Sequence, residues 1–438
     1  MKWLTRFIFL WMTATLATSA AAFEQIVVAS SFPKEVLVAY KKAFERRNPQ
    51  YRVEFVNFPG TNTVPFLTDR KTGSRPDVFW SSSPDSFRTM RSHGLLQPFV
   101  TGDAPESVSS ASNLGTDDSE RFYKSQALSG YGIMWNTRYL EARAIPVPTG
   151  WGDLTQAAYF GHIAMSSPSR SGTTHSIIES ILQGFGWRDG WSLILRIAGN
   201  CGTITERSFG VPNSVISGRF GVGLVVDFLA LSGKYTGLPV DFVYAWPSII
   251  TTASIGLITD GRNPQGGRKF IEFTLSEEGQ ELLLQPNISR LPVLPAVYAK
   301  SALPGNYPKL FLAARQQSSK YDLGLSESRH LAVGIIFDQL VTFRHQQLVK
   351  ATEAIQSAQR LLQLRPHAQA QSLVDQAIGL AYQSPVSEAD GWVVSGAKMP
   401  AASRLATMAT KEAELGQQIT TNYLAAAGFA HQALALLQ

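Results

Sequence analysis

The sequence predicts a two-lobed α/β protein in which two doubly wound sheets are joined by crossover strands, with an α-helical C-terminal extension. First, buried-type strand segments alternate with amphipathic helical segments over most of the chain, which is typical of parallel, doubly wound sheets. Second, this alternation occurs twice, before and after an apolar strand at residues 127–135. Third, from about residue 331 the pattern is helical only and rich in Ala, Leu and Gln. These observations together indicate two lobes followed by a bundle-like extension.

In the first lobe the predicted strands end in hydroxyl-rich turns. The strands are expected at residues 26–29, 51–56 and 77–80, and the helices at residues 34–47 and from about 85 to His93. Ligands of doubly wound sheets lie beyond the carboxyl ends of the strands. The candidate ligand contacts there are Ser30, Ser31, Ser81 and Ser82. Serines at helix starts are also common as simple caps, so each of these four has a structural alternative.

The second lobe repeats the pattern, with strands expected at residues 161–164, 201–205 and 220–226 and a helix at residues 176–186. The free N–H groups and positive dipole end of a helix start bind anions, and a guanidinium group strengthens such a site. The candidate ligand residues at these strand ends are Ser167, Ser169, Arg170, Ser171, Gly172, Thr173, Arg207, Ser208 and Asp227. The alternatives are a serine-rich N-cap beside a solvated arginine, and an aspartate that caps a helix or orients an arginine. Glu206 could neutralise Arg207.

The segment at residues 240–247 is expected to return the chain to the first lobe, where a strand at residues 254–258 and helices from Pro264 onward complete it. The predicted division is lobe 1 at residues 23–130 and 243–330, lobe 2 at residues 131–242, and the helical extension at residues 331–438. No chemistry is assigned to the extension, which could dock on the core or meet a partner.

The first 22 residues predict a secretory signal peptide. Lys2 and Arg6 precede an apolar run at residues 7–16, and Ala20 and Ala22 fit the small-residue rule for cleavage after Ala22. The run is too short to span a bilayer, and no later segment is apolar for long enough to do so. We therefore expect export to the periplasm and no transmembrane segment in the mature chain.

Composition excludes several classes of function. Removing Lys2 and Arg6 lowers the formal charge from +6 to +4, and the sequence pI is about 9.3. No Lys/Arg run or basic–aromatic repeat is present, so no nucleic-acid partner is expected. The single cysteine, Cys201, is expected to be a buried apolar residue. The chain has no G-x-S-x-G elbow and no H-E-x-x-H spacing, so we expect no catalytic residues, no metal site and no cofactor.

Several motifs resemble those of type II periplasmic solute-binding proteins of the iron/thiamine/phosphosugar-binding group. The general resemblance rests on Ser30-Ser31, on the element at residues 77–82 and on the helix at residues 270–280. The chain is more specifically similar to the phosphoglycerate transport regulatory proteins. That similarity rests on residues 165–171, His175, Glu179-Ser180, Gly186-Trp187, Gly190-Trp191, Gly199-Asn200 and residues 207–211.

The resemblance implies a type II two-lobed fold and a periplasmic protein that binds a phosphorylated three-carbon acid. It also implies a membrane partner, either the periplasmic domain of a sensor kinase or an ABC permease. Arg170 and Arg207 suit such a doubly anionic ligand, because guanidinium matches phosphate or carboxylate with paired donors. Three alternatives stay open: ferric iron, for which only Tyr244 stands where a tyrosine pair is expected; a thiamine-like cation beside Tyr244 and Trp246; and hydrolysis of a phosphate ester.

Overall fold

The structure is a computed structural model that describes residues 23–57, 75–82, 84–100, 122–300, 302–304, 306–309, 321–388 and 401–438. The predicted signal peptide lies outside the described residues. Within the described residues, no helix combines the length and apolar character needed to cross a membrane.

Lobe 1 is built on a mixed sheet whose first three strands are parallel. Its elements are β1 (Glu24–Ser30), α1 (Lys34–Arg47), β2 (Tyr51–Asn57), β3 (Val78–Ser81), α2 (Pro84–Ser92), β4 (Leu96–Gln97), β5 (Tyr123–Asn136), β10 (Ile250–Ile258), α8 (Pro264–Leu275), α9 (Glu277–Leu282), β11 (Leu291–Pro292) and α10 (Pro295–Lys300). The core forms around Trp80, with the Tyr40 ring centroid 4.8 Å from it and Phe44 packed against Phe270 at 5.3 Å. The lobe therefore has its own aromatic core on the inner face of α1 and α8.

Lobe 2 repeats this arrangement on a second sheet. Its elements are the second half of β5, α3 (Thr137–Ala142), β6 (Ile163–Ser166), α4 (Gly172–Phe185), α5 (Trp187–Gly199), β7 (Cys201–Thr205), α6 (Gly210–Ile216), β8 (Val222–Val226), α7 (Asp227–Tyr235) and β9 (Val240–Tyr244), with 3₁₀ turns at Trp151–Thr155 and Ala157–Tyr159. Strands β6, β7 and β8 are parallel neighbours, so their carboxyl ends share one edge of the sheet. Cys201 is buried and free.

One strand joins the two lobes. The strands follow the order β2-β1-β3-β10-β5-β8-β6-β7, with β4, β9 and β11 paired off this path. The first part of β5, through Gly130, pairs with β10, and the part from Tyr131 onward pairs with β8 and β9. The crossover strand predicted at residues 127–135 is thus 14 residues long. Because β9 pairs with the lobe 2 half of β5, the chain returns to the lobe 1 sheet at β10.

The C-terminal extension is a set of helices packed on lobe 2. These are α11 (Leu323–Leu340), α12 (His345–Leu364), α13 (Ala368–Tyr382) and α14 (Ala401–Leu437), with a 3₁₀ turn at Thr342–Arg344. Trp191 and Ile194 of α5 belong to the same buried cluster as Phe337, Ile355 and Tyr423 of the extension. The extension therefore docks on the core, one of the two roles left open by the sequence.

Two helices begin earlier than the sequence pattern predicts. Helix α4 starts at Gly172 instead of Ser176, because the Ser171 hydroxyl caps it by accepting a bond from the Thr174 N–H at 3.1 Å. Helix α11 starts at Leu323 instead of about residue 331, because Asp322 caps it in the same way. In both cases a side-chain cap starts the helix ahead of the apolar pattern seen in the sequence.

Candidate ligand site between the lobes

Serine hydroxyls from two lobe 1 strands meet at the edge of the sheet. Strands β1 and β3 are parallel neighbours, with Ser30 aligned to Trp80. The Ser31 and Ser81 hydroxyl oxygens are therefore 3.2 Å apart, within hydrogen-bonding distance. The Ser30 hydroxyl is buried and accepts a bond from the Phe32 N–H at 3.2 Å. Of these three predicted ligand contacts, Ser30 therefore bonds within the turn that follows β1, whereas the Ser31 and Ser81 hydroxyls bond to each other.

The central group of this region is Arg290, which the sequence analysis did not single out. Its side chain is 1% exposed, and its guanidinium lies 4.1 Å from the Phe32 ring centroid and 3.7 Å from that of Phe228. Phe32 follows β1 of lobe 1 and Phe228 lies on α7 of lobe 2, so this cation is held between the lobes. Its Nη1 donates to the Ser82 hydroxyl at 3.1 Å.

The positive charge of Arg290 is incompletely compensated. Its buried Nε has no hydrogen-bond partner among the described residues, and no described carboxylate forms an ion pair with it. Burial lowers the pKa of Arg290 to about 10, although the nearby Asp227 acts in the opposite direction. The group is thus protonated at neutral pH. A buried cation without a paired anion is costly unless another group completes its contacts.

Asp227 lies beside this cation at the end of β8, as the first residue of α7. Its carboxylate is completely buried and accepts bonds from the Gly130 N–H at 2.8 Å, the Phe228 N–H at 2.7 Å and the Tyr244 hydroxyl at 3.1 Å. Burial raises the pKa of Asp227 to about 7, a shift that these hydrogen bonds and Arg290 oppose. Asp227 is therefore a titratable group at the junction of the lobes, held by the backbone N–H groups of Gly130 and Phe228 and by the Tyr244 hydroxyl.

The predicted anion loop between β6 and α4 contacts the helical extension. The Ser167 hydroxyl donates to Asp338 Oδ1 at 2.7 Å and the Ser169 hydroxyl donates to Asp338 Oδ2 at 2.6 Å. Arg170 and Gly172 are exposed and Thr173 is half-buried, while Ser171 caps α4. The two serine hydroxyls therefore bind an anionic group of the chain itself in this structure.

The loop after β7 holds the second predicted cation. Ser166 of β6 aligns with Thr205 of β7, so the loops carrying Arg170 and Arg207 leave the sheet side by side. Arg207 is exposed, and its carbonyl accepts bonds from the Thr205 hydroxyl at 2.9 Å and the Gly210 N–H at 3.0 Å. Ser208 is half-buried. Among the described residues neither Arg170 nor Arg207 has an ion-pair partner.

The strand ends thus divide into two groups. Ser82 and Asp227 lie with Arg290, Phe32 and Phe228 at the lobe junction, whereas the β6–α4 loop meets Asp338. Sequence reasoning missed Arg290, both phenylalanines and Asp338. Their local sequences carry no signal for this role, because each acquires it through contacts with distant segments.

The residues considered for metal binding have other contacts. The Tyr244 hydroxyl donates to Asp227, and burial raises the pKa of Tyr244 well above its ordinary value. The described parts of the chain contain no group of three or more His, Cys, Asp or Glu side chains placed to hold a metal ion. The chemistry that the junction offers is a buried guanidinium, hydroxyl donors and one carboxylate, a set suited to an anion that also carries hydroxyl groups.

Two lobes joined by a shared strand, with polar groups gathered where the lobes meet, define a two-lobed binding protein of the type II periplasmic class. A family model described as bacterial extracellular solute-binding protein matches residues 74–311. The chain belongs to this family, and its fold and family are those of solute-binding proteins rather than enzymes.

Relatives and solved structures are consistent with this assignment. The chain is 32% identical over 311 residues to the phosphoglycerate transport regulatory protein PgtC of Salmonella typhimurium, covering 68% of this chain and 72% of the relative. The fold is similar to that of the periplasmic binding protein AfuA from Actinobacillus pleuropneumoniae with bound fructose-6-phosphate, with a TM-score of 0.54 and 17% identity over 68% of this chain and 99% of that one. It is also similar to iron-bound HitA from Pseudomonas aeruginosa, with a TM-score of 0.55 and 17% identity over 71% and 99% of the two chains.

Proposed function

We propose that this protein is exported by cleavage after Ala22 and captures a small phosphorylated organic anion, of the phosphoglycerate type, between its lobes. It releases the solute unchanged and presents it to the periplasmic domain of a membrane sensor kinase or to an ABC permease. The relationship to PgtC, a phosphoglycerate transport regulatory protein by name, supports the choice of ligand class. The same proposal includes the division of the chain into lobe 1, lobe 2 and the extension, with breaks near residues 130, 242 and 330.

The observation that carries the proposal is the incompletely compensated charge of Arg290. The guanidinium is buried between Phe32 and Phe228, and among the described residues only Ser82 accepts a hydrogen bond from it. A phosphate or carboxylate group could accept from the unpartnered Nε and from a second nitrogen of the same fork. Each charge-assisted bond contributes about 1.5–3 kcal/mol. An anionic solute would thus supply the partner that the described residues leave out.

The same contacts suggest how capture alters the protein. Arg290 is flanked by one ring from each lobe, so a ligand bound to it touches both lobes at once. A ligand with more contacts in the closed arrangement shifts the population of lobe arrangements toward it. Ser31, Ser81 and Ser82 then offer hydroxyls from lobe 1. Arg170 and Arg207 are the exposed cations available on the lobe 2 edge.

The proposal is tested by thermal unfolding of the exported protein against a panel of solutes. The panel contains 3-phosphoglycerate, phosphoenolpyruvate, a hexose phosphate and inorganic phosphate, with ferric iron and thiamine as the competing classes. A solute present at 100 times its Kd stabilises the folded protein by about 2.7 kcal/mol. We expect a phosphorylated organic acid to give the largest rise in Tm, and NMR of the recovered solute to show it unchanged. Stabilisation by iron or thiamine alone, or accumulation of free phosphate, would contradict the proposal.

A further inference from the structure

Two hydroxyl groups of the β6–α4 loop hold a carboxylate of the C-terminal extension, and a third hydroxyl, from Thr342 of the extension itself, also donates to it. Asp338 Oδ1 accepts from Ser167 at 2.7 Å and from Thr342 at 2.5 Å, and Oδ2 accepts from Ser169 at 2.6 Å. Ser167 is completely buried, and the Ser169 N–H donates to the Ser167 hydroxyl oxygen at 3.2 Å, which fixes the geometry of the loop. Both oxygens of an anionic group are therefore recognised by a built set of donors.

Helix α11, which carries Asp338, contacts α4 and the loop before it at several points. At its start the Asp322 N–H donates to the Gln183 side chain at 2.7 Å, and further along, the buried Arg329 pairs with Glu179 at 2.7 Å. Next to the loop, a Cβ at Gly334 would lie 3.3 Å from Ser169 Cα, so the helix backbone approaches the loop closely there. Asp338 is thus the last of a series of contacts that hold the extension on lobe 2.

This helix also reaches lobe 1. Glu327 of α11 forms an ion pair with Arg88 of α2 at 2.5 Å, with each side chain about one third exposed. The position of α11 is therefore linked to both lobes, strongly to lobe 2 through buried groups and weakly to lobe 1 through a solvated ion pair. A change at the β6–α4 loop would be transmitted along α11 to the rest of the extension.

We propose that the β6–α4 loop is an anion site whose occupant in this structure is Asp338, and that an anionic group of the captured solute competes with Asp338 for the same hydroxyls. This inference rests on the proposed function, because it supposes that the solute is an anion bound at this edge of lobe 2. Solute binding then releases α11 from the loop. Because the two events are thermodynamically linked, the docked extension lowers the affinity for the solute by the same factor by which the solute weakens docking.

The test compares Asp338→Ala with the full-length wild type, using 3-phosphoglycerate as the probe. Removing the internal competitor should lower the Kd by about tenfold, within the range of ordinary couplings between sites. In the wild type, adding the probe should speed amide exchange across Leu323–Leu340. Asp375→Ala is the matched control, since Asp375 is an exposed aspartate of the extension whose side chain, within the part of the chain that the structure describes, accepts only from Gln371, at 2.8 Å. It should change neither quantity.

A chemical-rescue arm separates this inference from the proposed function. Acetate, a carboxylate of the size that Asp338→Ala removes, should accept from Ser167, Ser169 and Thr342 together and so slow exchange in α11 again, whatever the natural solute is. If 3-phosphoglycerate binds the wild type but Asp338→Ala gains no affinity, the inference fails while the proposed function stands. If no phosphorylated anion binds either protein, the proposed function fails, and rescue by acetate alone decides the inference.

A milder variant covers the case in which Asp338→Ala does not fold. Ser169→Ala removes one exposed donor from the loop. A shared site predicts that this variant loses both probe affinity and protection of α11. Faster exchange in α11 with unchanged probe affinity would mean that the loop serves docking alone, and would overturn the inference.

Discussion

Replacing Arg290 by Met should separate ligand binding from stability. Arg290 is buried without a paired carboxylate among the described residues, so a side chain of similar length and no charge removes a costly group. Two cation–π contacts, at 4.1 and 3.7 Å, are lost with it. Each contributes up to about 2 kcal/mol when desolvated, and the Met sulfur recovers about 0.3–1.5 kcal/mol against the same rings. Because the substitution also removes the desolvation penalty of the buried charge, we expect a net change in stability within about 1 kcal/mol.

In contrast to stability, the affinity of Arg290→Met for an anionic ligand should fall strongly. The variant removes the charge-assisted bonds that a phosphate or carboxylate would accept, at about 1.5–3 kcal/mol each. The loss of two such bonds corresponds to at least about a hundredfold increase in Kd. Isothermal titration with 3-phosphoglycerate measures this change, and urea unfolding measures stability. Arg290→Lys, which keeps the charge and loses the planar fork, should fall between the two proteins in affinity.

Arg329 is the matched control, because it is equally buried but paired. Its side chain is 2% exposed and lies 2.7 Å from Glu179, which is completely buried. Arg329→Met leaves that carboxylate without its partner and should cost about 3–5 kcal/mol. If Arg290→Met also lost several kcal/mol and retained full affinity for the anion, Arg290 would be a structural residue, and its incompletely compensated charge would not mark a ligand site.

Three further predictions concern stability. Burial raises the pKa of Asp227 from its ordinary value of 3.8 to about 7. The stabilisation from its protonated form is therefore full below pH 3.8 and falls by about 4 kcal/mol as the pH rises through 7. Asp227→Asn should flatten this pH dependence when the free energy of unfolding is measured in urea at a series of pH values. Burial lowers the pKa of His175 from its ordinary value of 6.5 to about 3. The neutral imidazole therefore contributes its full stability above pH 6.5 and loses it as the pH falls below that value. His175→Gln should unfold less readily in acid than the wild type, and equal acid sensitivity of the two proteins would contradict this role of His175. A Cβ at Gly199 would lie 2.1 Å from the Thr352 hydroxyl, so Gly199→Ala should destabilise the docked extension by about 1–3 kcal/mol. Gly379 has open space around it, so Gly379→Ala should instead stabilise α13 by up to about 1 kcal/mol. Thermal unfolding of the two variants measures both changes.

The order and class of the elements follow from local patterns. Runs such as residues 26–29 and 222–226 are largely apolar and β-branched, and they form strands because burial on both faces of a parallel sheet requires such residues. The prediction of a two-lobed type II fold with a helical extension is confirmed by the similar solved structures and by the arrangement described above. Local sequence was sufficient here because strand and helix periodicity is set by neighbouring residues.

The candidate site depends on contacts that local sequence does not encode. Arg290 follows Ser289 in a short connection, and its burial results from Phe32 and Phe228, which belong to different lobes. The serines of the β6–α4 loop were predicted from their position after a strand, but the carboxylate that they bind lies 171 residues away from Ser167, on α11. Such pairings become visible only once the lobes and the extension are packed together.

The continuous apolar cluster that includes α5 of lobe 2 and the C-terminal helices has a consequence for how the molecule can be divided. Cutting the chain before α11 would leave Trp191, Ile194 and Leu195 without the residues that cover them, so the shortened product should aggregate or lose lobe 2. Heat or denaturant should melt that lobe and the helices in one cooperative step. The C-terminal helices thus complete the hydrophobic core of lobe 2, and a chain that ends after about three hundred residues would lack part of that core.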